Sequence, residues 1–472
     1  MARQRRRRPM LSRALHSDPR QMLDTGEQPA IHEQGVTRIL ELAMRIGSQL
    51  LMVGASAKEA TVAMTTVAKA YGLKGVQVDV TLNAVHVSYL RPGERPMTLM
   101  RVVRASSPDY SKYQRLQGLV ARIAGGMGLD EARAGSKGIR RTPFRFRTGV
   151  VVVARSITAV GVGIRFDGSP VILALTFLAA LAASITQAGL ARASMPPFFR
   201  QVAGGFVITV VAVAVAALAS LGVEPFTTVR PEIIVSSGIV LMFSGLALVG
   251  AVKDAIEGFS LTAGGRILDV MLQTLGVVIG IFIGLEVGRI LGYGISLPDE
   301  AVPQGTLASV LIGAVIVAAA ISISNGADSR IVLFSAALSV LAAASADAAL
   351  RFGLGDVGAV ALGALAASFA GTLLGRGAVP SVAVSTAAII ALVPGGVIFR
   401  GLLEMVTTGG TLDGTMAGVD LLAHAAMIAV SLAVGASLGS FLAGTRNRPT
   451  VAALTPPAFA RAGESPNEAP PN

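Results

Sequence analysis

Between residues 149 and 445 the chain runs for 297 residues with only 12 Lys/Arg and 15 Asp/Glu. A soluble domain carries about 25% charged residues and needs them to cover its surface. A stretch this long and this poor in charge has one stable destination, the hydrocarbon core of a bilayer. Ten apolar spans can be read in it, near 149–165, 170–190, 201–223, 233–252, 267–292, 304–324, 331–350, 356–375, 380–400 and 420–443. The first is the weakest, because Arg155 sits inside it.

The charge balance sorts the rest of the chain. The formal net charge of +12 on its face suggests a nucleic-acid partner. Partitioned, it is +14 on residues 1–148, −3 on 149–445 and +1 on the tail. Basic residues therefore mark a side of the membrane and no nucleic-acid partner is expected. With the N-terminus inside, the inner loops hold Arg140, Arg141, Arg145, Arg147, Arg192, Arg200, Lys253, Arg266, Arg330, Arg376, Arg446 and Arg448. The outer loops hold Arg165, Arg230, Arg289, Arg351 and Arg400. This bias predicts both termini in the cytoplasm of a multi-pass plasma-membrane protein.

Residues 1–31 read as a disordered basic tail and 446–472 as a disordered Pro-rich tail. Residues 32–148 read as a small α/β cytosolic domain. Val36, Ile39, Leu40, Ala43, Ile46, Leu50 and Leu51 recur at helical spacing. Ser56-Ala57-Lys58-Glu59 is a capping box that should start a helix running to about Ala70. Val76, Val78, Val80 and Leu82 alternate with polar residues as in a half-buried strand. Val85–Tyr89 and Thr98–Arg104 continue the sheet, and Tyr110–Met127 and Asp130–Ile139 read as helices.

The membrane body contains an internal repeat. Ile239–Gly245 resembles Ile389–Gly395 at an offset of 150, which sets Gly245 on Gly395, Ser244 on Pro394 and Asp254 on Glu404. Each following span carries small residues every fourth position, which line one helix face and let backbones approach closely. They are Gly276, Gly280, Gly284, Gly288 and Gly292 in the fifth span, and Ser431, Gly435, Gly439 and Ala443 in the tenth, at an offset of 151. Five is odd, so two five-span modules, 149–292 and 304–445, would insert as inverted repeats. That is a common plan of secondary transporters, with the substrate near the midplane between the repeats. The stripes could pack within a protomer or between protomers, which leaves a homo-oligomer open.

Ionisable groups in or beside spans are costly and mark functional sites. Asp254, Glu257, Arg266 and Asp269 flank the link between spans four and five, and Glu404, Asp413 and Asp420 occupy the matching place in the second half. They read either as surface ion pairs or as a site that binds a zwitterion. Asp347 with Arg351 reads either as a self-satisfied pair or as a proton relay, and Glu286 with Arg289 as an interfacial pair. Pro394-Gly395-Gly396 interrupts an apolar span and should break or kink it. With no Cys and no His cluster, no metal site is expected. No Walker A motif is present, no cofactor is expected, and no nucleophile–base constellation points to an enzyme.

Three groups of residues resemble one family. Leu51-Met52-Val53-Gly54-Ala55-Ser56-Ala57-Lys58-Glu59, with Tyr71-Gly72-Leu73 and Val76–Thr81, resembles the cytosolic domain of the threonine/serine exporter family. Ile233–Leu275, with Lys253-Asp254-Ala255-Ile256-Glu257-Gly258 and Ala263-Gly264-Gly265-Arg266, is similar to its first membrane module. Val379–Gly401, with Leu392-Val393-Pro394-Gly395-Gly396 and Phe399-Arg400-Gly401, is similar to its second. The resemblance implies ten spans, a cytosolic N-terminal domain, and export of the small-molecule substrates threonine and serine driven by the proton-motive force. Relatives with the modules on separate chains imply an alternative, dicarboxylate export, in which Arg266 and Arg400 would matter most. Asp254, Gly258, Arg266, Pro394 and Gly395 are carried over from the resemblance as substrate or coupling candidates. Asp347, Arg400 and Glu404 join them from the reading of charges in the spans. One departure stands out: Phe243-Ser244-Gly245 replaces the Leu-Pro-Gly usual in the first module, so the kink in span four should be weaker. A second class of function, a membrane-anchored regulatory or binding module, rests on the patterned N-terminal domain.

Overall fold

A computed structural model of the chain describes residues 33–90, 95–103, 107–242, 245–293, 305–375, 389, 392–393, 395–407 and 412–445. Its first helix, α1 (Glu33–Met52), buries Val36, Ile39, Leu40, Ala43, Ile46, Leu50 and Leu51, the stripe read from the spacing. Ser56 starts α2 (Ala57–Ala70): its hydroxyl accepts the Glu59 amide at 3.2 Å and Glu59 Oε2 accepts the Ser56 amide at 2.9 Å. Both hydrogen bonds satisfy donors that the first helical turn leaves orphaned.

Strands β1 (Gln77–Thr81), β2 (Ala84–Tyr89) and β3 (Met97–Val102) form an antiparallel sheet in that order, with Val80 facing Val85 and Val87 facing Leu99. Val80, Val85, Val87 and Tyr89 are buried, as the alternation predicts. Arg91-Pro92-Gly93-Glu94, whose sequence reads as a turn, lies outside the described residues. Helices α3 (Tyr110–Ala124) and α4 (Leu129–Arg141) close this part, with Leu116, Leu119 and Ile123 in the core.

The body follows as α5 (Thr148–Arg165), α6 (Pro170–Arg192), α7 (Pro197–Ser220), α8 (Pro231–Met242), α9 (Gly245–Ile256), α10 (Ser260–Ile290), α11 (Leu307–Ser324), α12 (Ser329–Arg351), α13 (Asp356–Leu374), α14 (Gly395–Thr407) and α15 (Leu412–Thr445). Among the described residues eight helices are long and apolar enough to cross a membrane, and there are nine if α8 and α9, bent by 46°, are counted as one span. The expected span at 380–400 lies mostly outside the described residues. The span read at 233–252, where a weakened kink was expected, is two helices whose axes differ by 46°.

The two halves share a packing plan. In the first, α5 packs on α6, α6 on α7, α7 on α10 and α9 on α10; in the second, α11 packs on α12, α12 on α13, α13 on α15 and α14 on α15. The halves meet where α5 packs on α11, and crosswise where α9 packs on α15 and α14 on α10. One apolar cluster accordingly joins Ile208, Ile234, Val278 and Ile281 to Ile398, Phe399 and Ala429.

The glycine stripes are the seams within each half. A Cβ on Gly276 would lie 2.9 Å from the Phe198 carbonyl oxygen, and one on Gly280 would meet the Val202 carbonyl and the Phe206 amide. Likewise Gly435 faces the Ala361 carbonyl, and Gly439 faces the Leu365 carbonyl and the Phe369 amide. Further along α10, Gly284 seats Thr209 and Gly288 seats Val213. These contacts lie within one chain. The chain between the third and fifth elements differs in length between halves, so one offset cannot serve every element.

Candidate functional site

Helix α10 has 31 residues, about 46 Å at 1.5 Å per residue, against a hydrocarbon core of about 30 Å. Its first turns therefore reach beyond the apolar layer, where residues 33–141 pack on the body. The reversal from α9 into it is tight. Gly258 adopts φ +91°, its amide donates to Ala255 O at 3.1 Å and the Phe259 amide to Asp254 O at 2.8 Å. That is a Schellman closure, and a side chain at 258 would strain it.

The closure sets Asp254 facing Arg266. Asp254 is fully buried; its Oδ2 accepts from Arg266 Nη1 at 2.6 Å and its Oδ1 accepts the Ala57 amide at 3.1 Å. Ala57 is the first residue of α2, whose helix dipole favours a carboxylate there. Arg266 Nη2 donates to Ala55 O at 3.4 Å, Lys58 pairs with Glu257 at 3.4 Å, and the Thr262 hydroxyl donates to Val80 O at 3.0 Å. Leu82 fills the notch at Gly265. The motif around Leu51–Glu59 and the motif around Lys253–Arg266 thus form the two faces of one joint.

A second joint holds the other half. The Tyr110 amide donates to Asn325 O at 2.8 Å in the link between α11 and α12. Asp109 caps α3 by accepting the Lys112 amide at 3.0 Å, and Asp328 caps α12 by accepting the Ile331 amide at 2.9 Å. Ala327 and Ile331 belong to the same apolar cluster as Leu40, Met64 and Leu116. Burial pushes the Tyr110 phenol up to about 12.

The other candidates are dispersed. Asp347 pairs with Arg351 at 2.6 Å and Glu286 with Arg289 at 2.5 Å, each one turn apart on its own helix. Asp269 and Asp420 are exposed. Arg400 and Glu404 are half-buried, four residues apart on α14, which packs on α8, α10 and α15. Gly395 is the first residue of α14, while Pro394 and the Asp413 side chain lie outside what is described. Arg155 is on the exposed side of α5, the position from which its head can snorkel.

Two polar residues were missed from the sequence. Gln187 Nε2 on α6 donates to Gln201 Oε1 on α7 at 2.9 Å, and Gln201 Nε2 donates to Met242 O, at the end of α8, at 3.2 Å. Two amides inside apolar spans were the available signal, overlooked because neither is charged.

These features define a polytopic helical membrane protein with repeated halves, crosswise-packed fourth elements and a docked N-terminal α/β unit. A family model described as putative threonine/serine exporter matches residues 41–288. A protein of Mycobacterium tuberculosis (strain ATCC 25618 / H37Rv) named probable threonine/serine exporter is 32% identical over 258 residues, 53% of this chain and 46% of that protein. The matched stretch thus spans under half of that relative's length. The threonine/serine exporter of Corynebacterium glutamicum is 30% identical over 426 residues, 89% of this chain and 85% of that protein. The chain belongs to the threonine/serine exporter family. No solved structure matches it.

Proposed function

We propose that this chain is a secondary transporter that exports threonine or serine across the plasma membrane, driven by the proton-motive force, and has no enzymatic role. The observation that carries this reading is the crossed packing of α9 on α15 and of α14 on α10, which sets α9 and α14 at the boundary between the halves. In inverted-repeat transporters that boundary is where polar cargo binds and where the halves rock. The relatives' names supply the cargo. In this reading the halves are inverted repeats of five spans each, both termini face the cytoplasm, and residues 33–141 bridge the inner links of the two halves.

Asp254 and Glu404 are the coupling carboxylates in this reading, with Asp347 a third. Arg400 and the backbone freed around Pro394 and Gly395 face the substrate. Gly258 and Arg266 hold Asp254 in place. The dicarboxylate alternative is weaker, because Arg266 is already committed to Asp254 and Ala55.

Inside-out vesicles containing the protein test the coupling. An imposed proton gradient, acid inside, should drive uptake of labelled threonine or serine, and a protonophore should abolish it. Uptake indifferent to the gradient would overturn proton coupling.

A further inference from the structure

We propose that Gln201, oriented by Gln187, is a positioning residue that keeps the fourth span broken at Met242, a task that proline performs in the second half. In a continuous helix the Met242 carbonyl would accept the amide four residues on. Here it accepts Gln201 Nε2 at 3.2 Å, and Gln201 Oε1 is held by Gln187 Nε2 at 2.9 Å. The amide chain runs from α6 through α7 to the end of α8, where the span bends by 46°. Gly204 makes room for it: a Cβ there would lie 2.6 Å from Gln187 Nε2.

The repeat shows what this chain of amides replaces. The first three helices of the two halves start 159 residues apart, 148 and 307, 170 and 329, 197 and 356, which sets Gln201 on Val360. Packing a third element in this fold does not require an amide at that position. The motif alignment sets Ser244 on Pro394. So the half whose motif carries proline at 394 has valine at the relay position, and the half whose motif carries serine at 244 has glutamine there. Proline breaks a helix by deleting a donor and crowding the preceding turn. An amide that captures the carbonyl reaches the same end with a bond that can be released and remade.

The test uses the full-length protein, which has no cysteine of its own. Spin labels on Arg230→Cys and Ile256→Cys report the distance across the bend. In Gln201→Leu that distance should lengthen by about 3 Å, the difference between a 46° bend and a straight rod. Gln187→Leu should lengthen it less. Adding Ser244→Pro to Gln201→Leu should restore both the wild-type distance and the KM for threonine, which Gln201→Leu alone raises several-fold. An unchanged distance in both leucine variants would overturn the proposal, as would a double variant that folds but stays straight. The transport readout rests on the proposed function; if the wild type carries no threonine, that reading fails and the label distance alone decides this one.

Discussion

Arg266 and Asp254, twelve residues apart in sequence, face each other at 2.6 Å across the reversal from α9 to α10, and the same carboxylate accepts the first amide of α2. Three chain segments therefore converge on one buried side chain. This ties the N-terminal unit to the bent fourth span of the first half.

Removing one partner of a buried pair leaves an uncompensated charge and costs about 3–5 kcal/mol. Arg266→Ala should cost the most. Asp254→Asn should cost less, because its side-chain oxygen can still accept the Ala57 amide. Hydrogen exchange at residues 55–60 should accelerate in both, and threonine transport should fall in both. Wild-type protection in Arg266→Ala would show that the joint does not hold the unit down.

The glycine seams make a steric prediction with a built-in control. Gly280→Ala and Gly439→Ala push a methyl group into backbone carbonyls and should destabilise by about 1–3 kcal/mol or more. Gly264→Ala meets nothing within 4 Å and should be neutral or slightly stabilising, since alanine is the better helix former. Melting temperatures in one detergent compare the three directly.

Much of this was legible from residue spacing. Ser56 and Glu59 stand three apart, the distance a capping box requires, and a glycine every fourth residue is the period of a helix face. The joint at Asp254 was not legible, because its other partners are a backbone amide and a carbonyl, which leave no trace in side-chain identity. Gln201 escaped because a charge count does not see amides.

Tyr110 predicts an alkaline weakness. Its folded pKa is raised to about 12 by burial, above the ordinary 10.0. A raised value means the stability is complete below pH 10 and is lost as pH rises towards 12, because only the unfolded chain ionises freely. Two units correspond to about 3 kcal/mol. Tyr110→Phe should flatten the decline of melting temperature above pH 10; an identical decline would contradict the burial of this phenol.

Asp167 predicts the opposite sign. It lies between α5 and α6, outside both spans. Its pKa is lowered by the Ser309 hydroxyl and the Thr306 amide, which join the end of α5 to the start of α11. The stability it contributes is present above its ordinary 3.8 and fades as pH falls through the lowered folded value. Asp167→Asn should melt below the wild type at neutral pH, and the gap should close in acid. A gap that persists at low pH would assign the effect to packing.

Counterflow in proteoliposomes tests the central claim most directly. Vesicles loaded with unlabelled threonine or serine should accumulate labelled threonine transiently and faster than empty vesicles or vesicles loaded with succinate. Equal uptake in all four would contradict a threonine/serine exporter, and labelled succinate accumulating in succinate-loaded vesicles while labelled threonine does not would assign the cargo to dicarboxylates.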